Sequence, residues 1–114
     1  MENITKEYLE SVGFKEYNVP SIKTGADLFL QKKISMGEDE GEELYIDAYM
    51  YDLRKYSAGL DQQWSFETQL GDYRAFNVTT VQWKDCSLAE IEEFFKNLYY
   101  FSKMVERKKN KNKE

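Results

Sequence analysis

The segment from Leu44 to Leu53 constrains the fold most, because its apolar and polar residues alternate as far as Tyr51. Every second side chain of a β-strand points to the same face. One face of this strand would carry Leu44, Ile46, Ala48 and Met50. The other face would carry Tyr45, Asp47, Tyr49 and Tyr51. A strand of this kind belongs to a sheet whose apolar face is covered by other elements.

Three further segments have the composition of strands, namely residues 26–36, 64–70 and 75–83. The chain between consecutive strands is short, which favours an antiparallel meander. Residues 15–25 contain the only proline and are predicted to be an extended connection.

Helices are predicted at both ends of this meander. Asn3 or Thr5 can cap a short first helix that runs through about Val12, and Gly13 is suited to end it. The segment Ser87–Glu90 (SLAE) has the form of a capping box that starts a second, longer helix. Its apolar residues recur at helical spacing: Leu88, Ile91, Phe95, Leu98 and Val105, with Phe94, Tyr99 and Phe101 widening the stripe. The predicted fold is therefore α+β, a four-stranded antiparallel meander between a short N-terminal and a long C-terminal helix (α-β-β-β-β-α).

The charge of the chain is unevenly distributed. The 114 residues have a net charge of −5, yet residues 103–114 hold six Lys or Arg against two Glu. This length fits one domain, which we place at residues 1–106, followed by a basic disordered tail at 107–114. An acidic body repels phosphate backbones and favours a basic protein partner, so that direct nucleic-acid binding is expected only through the tail.

The composition excludes several kinds of chemistry. With no histidine and one cysteine, the chain has no Ser-His or Cys-His nucleophile pair and no zinc motif. It also lacks the glycine-rich phosphate loops, so we expect no metal and no cofactor. No secretory signal pattern and no long apolar segment is visible, which predicts a cytoplasmic protein without membrane contact.

One pair of acids has a catalytic interpretation. Asp47 on one predicted strand, followed by Glu67-Thr68-Gln69 on the next, resembles the metal-dependent restriction-type nucleases. The resemblance implies that the two carboxylates hold Mg²⁺ while the third group polarises the attacking water. Gln69 stands where that family usually has lysine. The alternative is a pair of solvated acids on a sheet face.

Two features favour binding instead. Residues 37–43 form an acidic loop with five acids: Glu38, Asp39, Glu40, Glu42 and Glu43. The loop either keeps strand edges from pairing with other chains or enters a basic groove of a partner. Tyr45, Tyr49 and Tyr51 share one strand face, which is either packed under the helices or exposed as a contact surface.

The segments Ser11-Val12-Gly13-Phe14 and Ser87 to Tyr100, on either side of a meander, resemble small phage and mobile-element accessory proteins. The resemblance implies a protein that acts by binding, as inhibitors of host defences do. We therefore predict a non-enzymatic accessory protein that binds a macromolecule through the acidic loop and the tyrosine face. A nuclease that uses Asp47 and Glu67, a binder of a small ligand and a homodimer remain as alternatives.

Overall fold

A computed structural model of the chain describes residues 4–37, 42–68, 79–82 and 87–112. The elements in chain order are helix α1 (Lys6–Ser11), strands β1 (Lys15–Tyr17), β2 (Leu28–Ser35), β3 (Glu43–Asp52), β4 (Gln62–Thr68) and β5 (Thr79–Gln82), and helix α2 (Leu88–Asn112), with a 3₁₀ helix (Leu53–Lys55) between β3 and β4. The strands form one sheet in the order β1-β2-β3-β4-β5, and every neighbouring pair is antiparallel. The predicted α+β class and the antiparallel meander are confirmed.

Strand β1 is an addition to the four predicted strands. It has only three residues, all exposed, and it pairs with β2 within the segment that we predicted to be an extended connection. So short a strand without a buried side chain has no hydrophobic periodicity. The sequence therefore carries no signal for it.

The N-terminal helix begins and ends as its sequence predicts. The hydroxyl of Thr5 accepts a hydrogen bond from the backbone N–H of Tyr8 at 3.0 Å. At the other end Gly13 has φ +109°, a conformation that L side chains rarely adopt. The N–H of Phe14 then donates to the carbonyl of Leu9 at 3.0 Å, and Phe14 is buried. This turn directs the chain into β1.

One face of the sheet, the helix face, packs against the two helices. Its buried residues and those of the helices form one cluster that includes Leu9, Phe14, Leu30, Leu44, Ile46, Ala48, Phe66, Leu88, Ile91, Phe95 and Tyr99. Lys32 also lies on this face, where its ammonium group donates to a carboxylate oxygen of Glu92 on α2 at 2.8 Å. The lysine that interrupts the apolar stripe of β2 is thus accommodated by an acid from the helix that covers it.

Helix α2 starts with the predicted capping box. The N–H of Glu90 donates to the hydroxyl of Ser87 at 3.2 Å, and that hydroxyl lies 3.1 Å from the Glu90 carboxylate. The helix continues to Asn112, beyond residue 107, where we expected the chain to fray. The division into a domain at 1–106 and a tail at 107–114 stays a prediction. Within the described part of the chain, no helix is both long and apolar enough to cross a membrane.

Candidate functional site

The sheet face opposite the helices, here called the open face, carries most of the predicted site residues. The strand register places Gln31, Asp47 and Glu67 side by side on β2, β3 and β4. A second row on the same face, two residues further along β3, consists of Tyr17, Phe29, Tyr49 and Ser65. The predicted alternation of β3 is therefore correct, since Asp47 and Tyr49 lie on the face that α2 does not cover.

The acids Asp47 and Glu67 are direct cross-strand partners, as the nuclease interpretation requires. The side-chain amide of Gln31 donates to a carboxylate oxygen of Asp47 at 2.8 Å. Burial raises the pKa of Asp47, and the hydrogen bond from Gln31 opposes this effect only in part. Glu67 is buried and accepts a hydrogen bond from the ammonium group of Lys23 at 2.6 Å. Each acid thus has a polar partner within the protein.

Lys23 reaches the open face because residues 18–27, here called the crossing segment, return over it. The Lys23 ammonium group lies 5.3 Å from the centre of the Tyr49 ring, in addition to its bond with Glu67. The segment is fixed at its end by Asp27, whose N–H donates to the carbonyl of Met50 at 2.8 Å. The carboxylate of Asp27 also accepts from the N–H of Asp52 at 2.7 Å. The centre of the open face is therefore covered.

The aromatic row passes from this covered centre to an exposed edge. Tyr49 is only 3% exposed, and its ring stacks on Phe29 at a centroid distance of 4.9 Å. The Phe29 ring in turn packs against the ring of Tyr17 on β1, at a centroid distance of 6.2 Å, and Tyr17 is 51% exposed. Burial raises the pKa of Tyr49 above its ordinary value. Tyr49, which we predicted to contact a partner, is buried in this structure.

The exposed edge of the open face contains a groove of about 410 Å³, here called the tyrosine groove. Its lining residues are Gly13, Lys15, Tyr17, Gln31, Lys33 and Tyr45. Tyr17 and Tyr45 are both exposed, and Gly13 contributes no side chain that could fill the space. The groove thus combines two accessible rings with two lysines.

The groove adjoins the acidic loop through Glu43 and Tyr45. The Tyr45 hydroxyl donates to a carboxylate oxygen of Glu43 at 2.8 Å, and the ammonium group of Lys33 lies 3.3 Å from the other oxygen. These two contacts hold the pKa of Glu43 below its ordinary value, and the same hydrogen bond raises the pKa of Tyr45. At neutral pH Glu43 is therefore an anion that orients both a tyrosine and a lysine.

The structure does not describe every predicted site residue. Residues 38–41, which include Glu38, Asp39 and Glu40, lie outside the described part, and so does Gln69. Glu42 and Glu43 are half-buried, and Tyr51 is half-buried at the far end of β3.

Sequence reasoning missed Lys15, Tyr17, Lys23 and Lys33 as neighbours of the predicted residues. Lys33 could have been found, because alternation in the strand before the acidic loop places it on the face opposite Leu30 and Ile34, and it pairs with Tyr45. The other three could not, because they belong to β1 and the crossing segment, which have no periodic pattern.

The described residues show no group of three or more acidic, cysteine or histidine side chains that could hold a metal ion. Asp47 and Glu67 form a pair without a third ligand of this kind in the described ranges.

Comparisons with known proteins assign no relative to this chain. No protein-family model matches it, and neither a curated protein nor a solved structure shows significant similarity.

Proposed function

We propose that this protein binds a protein partner through a continuous surface formed by the tyrosine groove and the acidic loop. The observation that carries the proposal is the groove itself, in which two exposed tyrosine rings flank about 410 Å³ of open space. Tyrosine is enriched at protein interfaces because its ring contributes a large contact area at a low cost in conformational entropy. The proposal keeps the predicted role of Tyr45 and replaces the buried Tyr49 with Tyr17.

The charge around the groove favours a protein partner over a nucleic acid. Lys33 is paired with Glu43, and the acidic loop adds four more carboxylates a few residues away. A phosphate backbone that approached the two lysines would also approach this negative charge. A partner with basic side chains for the acidic loop and a flat apolar patch for the two rings fits the surface better. We propose that this chain is a non-enzymatic accessory protein that acts in the cytoplasm.

The binding surface is partly organised before a partner arrives. The bond between Tyr45 and Glu43 restricts the Tyr45 ring, and contact with Phe29 supports the Tyr17 ring. Side chains that are already ordered lose less entropy when a complex forms. Tyr17 and Tyr45 should therefore contribute strongly to affinity.

The test compares three tagged proteins as baits in extracts of the native host. They are the wild type, Tyr17→Ser/Tyr45→Ser, and the control Tyr56→Ser. Tyr56 is 77% exposed and follows β3 at the end of the sheet away from the acidic loop, so its change alters a surface ring outside the groove. We expect the wild type and the control to retain the same protein and the groove variant to lose it. Equal recovery by all three baits would contradict the proposal.

The contribution of the acidic loop is measured separately. Baits in which Glu38, Asp39 and Glu40 are replaced by the corresponding amides are compared with wild type at about 150 mM and about 500 mM salt, because added salt shortens the screening length. If the loop attracts a basic partner, recovery of the partner by the wild type falls when the salt is raised. Recovery by the amide variant should already be low at about 150 mM salt and should fall little more at about 500 mM. A recovery that does not depend on salt or on the loop would restrict the site to the tyrosine groove.

The second candidate, a metal-dependent phosphodiesterase, has one observation in its favour. Asp47 and Glu67 are cross-strand partners, and Lys23 lies beside Glu67, so two acids and an ammonium group are close together. Calorimetric titration with Mn²⁺ tests this candidate. Binding that Asp47→Asn abolishes would favour it, and no heat of binding would exclude it.

A further inference from the structure

Helix α2 extends well beyond the sheet that it covers. Among its described side chains Tyr99 is the last buried one, yet the helix continues for another 13 residues to Asn112. At 1.5 Å per residue this extension is about 20 Å long. The molecule accordingly measures 59 × 26 × 25 Å. Most helical stability in proteins comes from tertiary packing, so contacts from outside the sheet would stabilise this extension.

A stripe of exposed residues runs along α2, beside the stripe of residues that the helix buries against the sheet. Phe94 is 44% exposed, Phe101 60% and Met104 45%. We expected Phe94 and Phe101 to widen the core stripe, but both side chains are exposed. Together with the exposed residues Glu90 and Asn97 they follow one line, here called the α2 seam, which continues along the backbone to position 108.

The spacing of the α2 seam is that of a coiled coil. Positions 90, 94, 97, 101, 104 and 108 are separated alternately by four and three residues. This is the spacing of the a and d positions of a heptad repeat, which form the contact line between two paired helices. The residues of the buried stripe occupy other positions of α2, so the seam can be covered without disturbing the core.

The residues of the α2 seam are complementary to themselves in the antiparallel direction. When two α2 helices cross at residue 99, Phe94 of one copy lies opposite Met104 of the other, and Asn97 lies opposite Phe101. The same register places position 90, a glutamate in the sequence, opposite position 108, a lysine. Just beside the seam, position 93, a glutamate, comes close to position 107, an arginine. In a parallel pair each charged residue would instead lie opposite the same residue of the other copy, and like charges would repel.

We propose that two copies of this chain form an antiparallel dimer through their α2 helices. A twofold axis near residue 99 relates the copies, so each seam contact occurs twice, as in other isologous interfaces. The acidic first half of each helix, with Glu90 and Glu93, meets the basic second half of the other. The tyrosine groove belongs to the open face, so the dimer leaves it free. A failure of either proposal does not decide the other.

Sedimentation equilibrium of the full chain tests the proposal. At concentrations up to about 100 µM, where a dimer of micromolar affinity is largely assembled, we expect twice the monomer mass of 13.6 kDa. Because Phe101 is exposed, Phe101→Glu should keep the fold but weaken association by roughly a hundredfold or more, since two rings are lost per dimer. Ile22→Glu is the matched control, an apolar-to-acid change at an 85% exposed site away from α2. A monomeric wild type, or equal weakening by both variants, would overturn the proposal.

The antiparallel register is tested by exchanging charges. Glu93→Lys and Arg107→Glu each place like charges together at both ends of the interface, and each should weaken association by roughly tenfold. The double variant restores opposite charges and should recover wild-type affinity. A double variant that associates no better than the single variants would refute this register. Circular dichroism of each variant checks that α2 remains folded.

Discussion

Lys23→Met removes a contact that links the crossing segment to β4. For a residue in a surface loop, we expect the resulting loss of stability to be large. The ammonium group of Lys23 bonds to Glu67 and lies over the ring of Tyr49. The substitution keeps a side chain of similar length and removes the charge. The loss of the ion pair, rather than the loss of volume, therefore determines the effect.

The magnitude follows from the burial of the pair. Loss of one partner from a fully buried ion pair costs about 3–5 kcal/mol, whereas an exposed pair contributes about 0–1 kcal/mol. The side chain of Glu67 is 8% exposed and that of Lys23 is 26% exposed. This intermediate burial gives a loss of about 2 kcal/mol in the free energy of unfolding, between those two limits. For a domain of this size the melting temperature would fall by roughly 8 °C.

Thermal unfolding followed by circular dichroism measures this loss. Lys6→Met serves as the control, because Lys6 forms an exposed bridge with Glu16 and its removal should leave the melting temperature unchanged. Glu67→Gln should cost less than Lys23→Met, since Lys23 can turn its charge toward water. The double variant should lose less stability than the sum of the two single variants. Additive losses, or a Lys23→Met variant as stable as Lys6→Met, would refute this account of the crossing segment.

Two further predictions concern the open face and its edge. Because burial raises the pKa of Asp47 above its ordinary value of 3.8, the folded state holds a proton that the unfolded state has already released, and ionisation therefore destabilises the fold. Asp47→Asn should raise the melting temperature at pH 7, and this gain should disappear as the pH falls below 3.8; a gain of equal size at pH 3 and pH 7 would contradict it. Gly13→Ala should lower the free energy of unfolding by about 1–2 kcal/mol, because φ +109° is unfavourable for alanine, and chemical denaturation that shows no loss would contradict the structure of this turn.

The sequence predicts those elements whose patterns are local. The alternation from Leu44 to Leu53 predicts both β3 and the faces of its residues. The capping box at Ser87 and Glu90 predicts the start of α2. Both are fixed by residues a few positions apart, so a single sequence contains all the information that they require.

The site depends on contacts that are distant along the chain. Lys23 and Glu67 are separated by 44 residues, and no pattern in either segment indicates that they meet. Lys23 also lies over Tyr49, so periodicity places Tyr49 on the correct face but cannot show that it is covered. The exposure of Phe94 and Phe101 is missed for a related reason. An apolar residue beside a core stripe has the same pattern whether or not the sheet is wide enough to cover it.

The central claim is that the tyrosine groove and the adjoining acidic loop form the binding surface. Hydrogen–deuterium exchange of the protein with and without its captured partner tests this claim most directly. We predict slower exchange in residues 13–17 and 31–33, which line the groove, and in residues 37–45, which include the acidic loop and Tyr45. Exchange around Tyr56 should be unchanged. Protection that is absent from the groove and confined to α2 or to the far end of the sheet would contradict the claim.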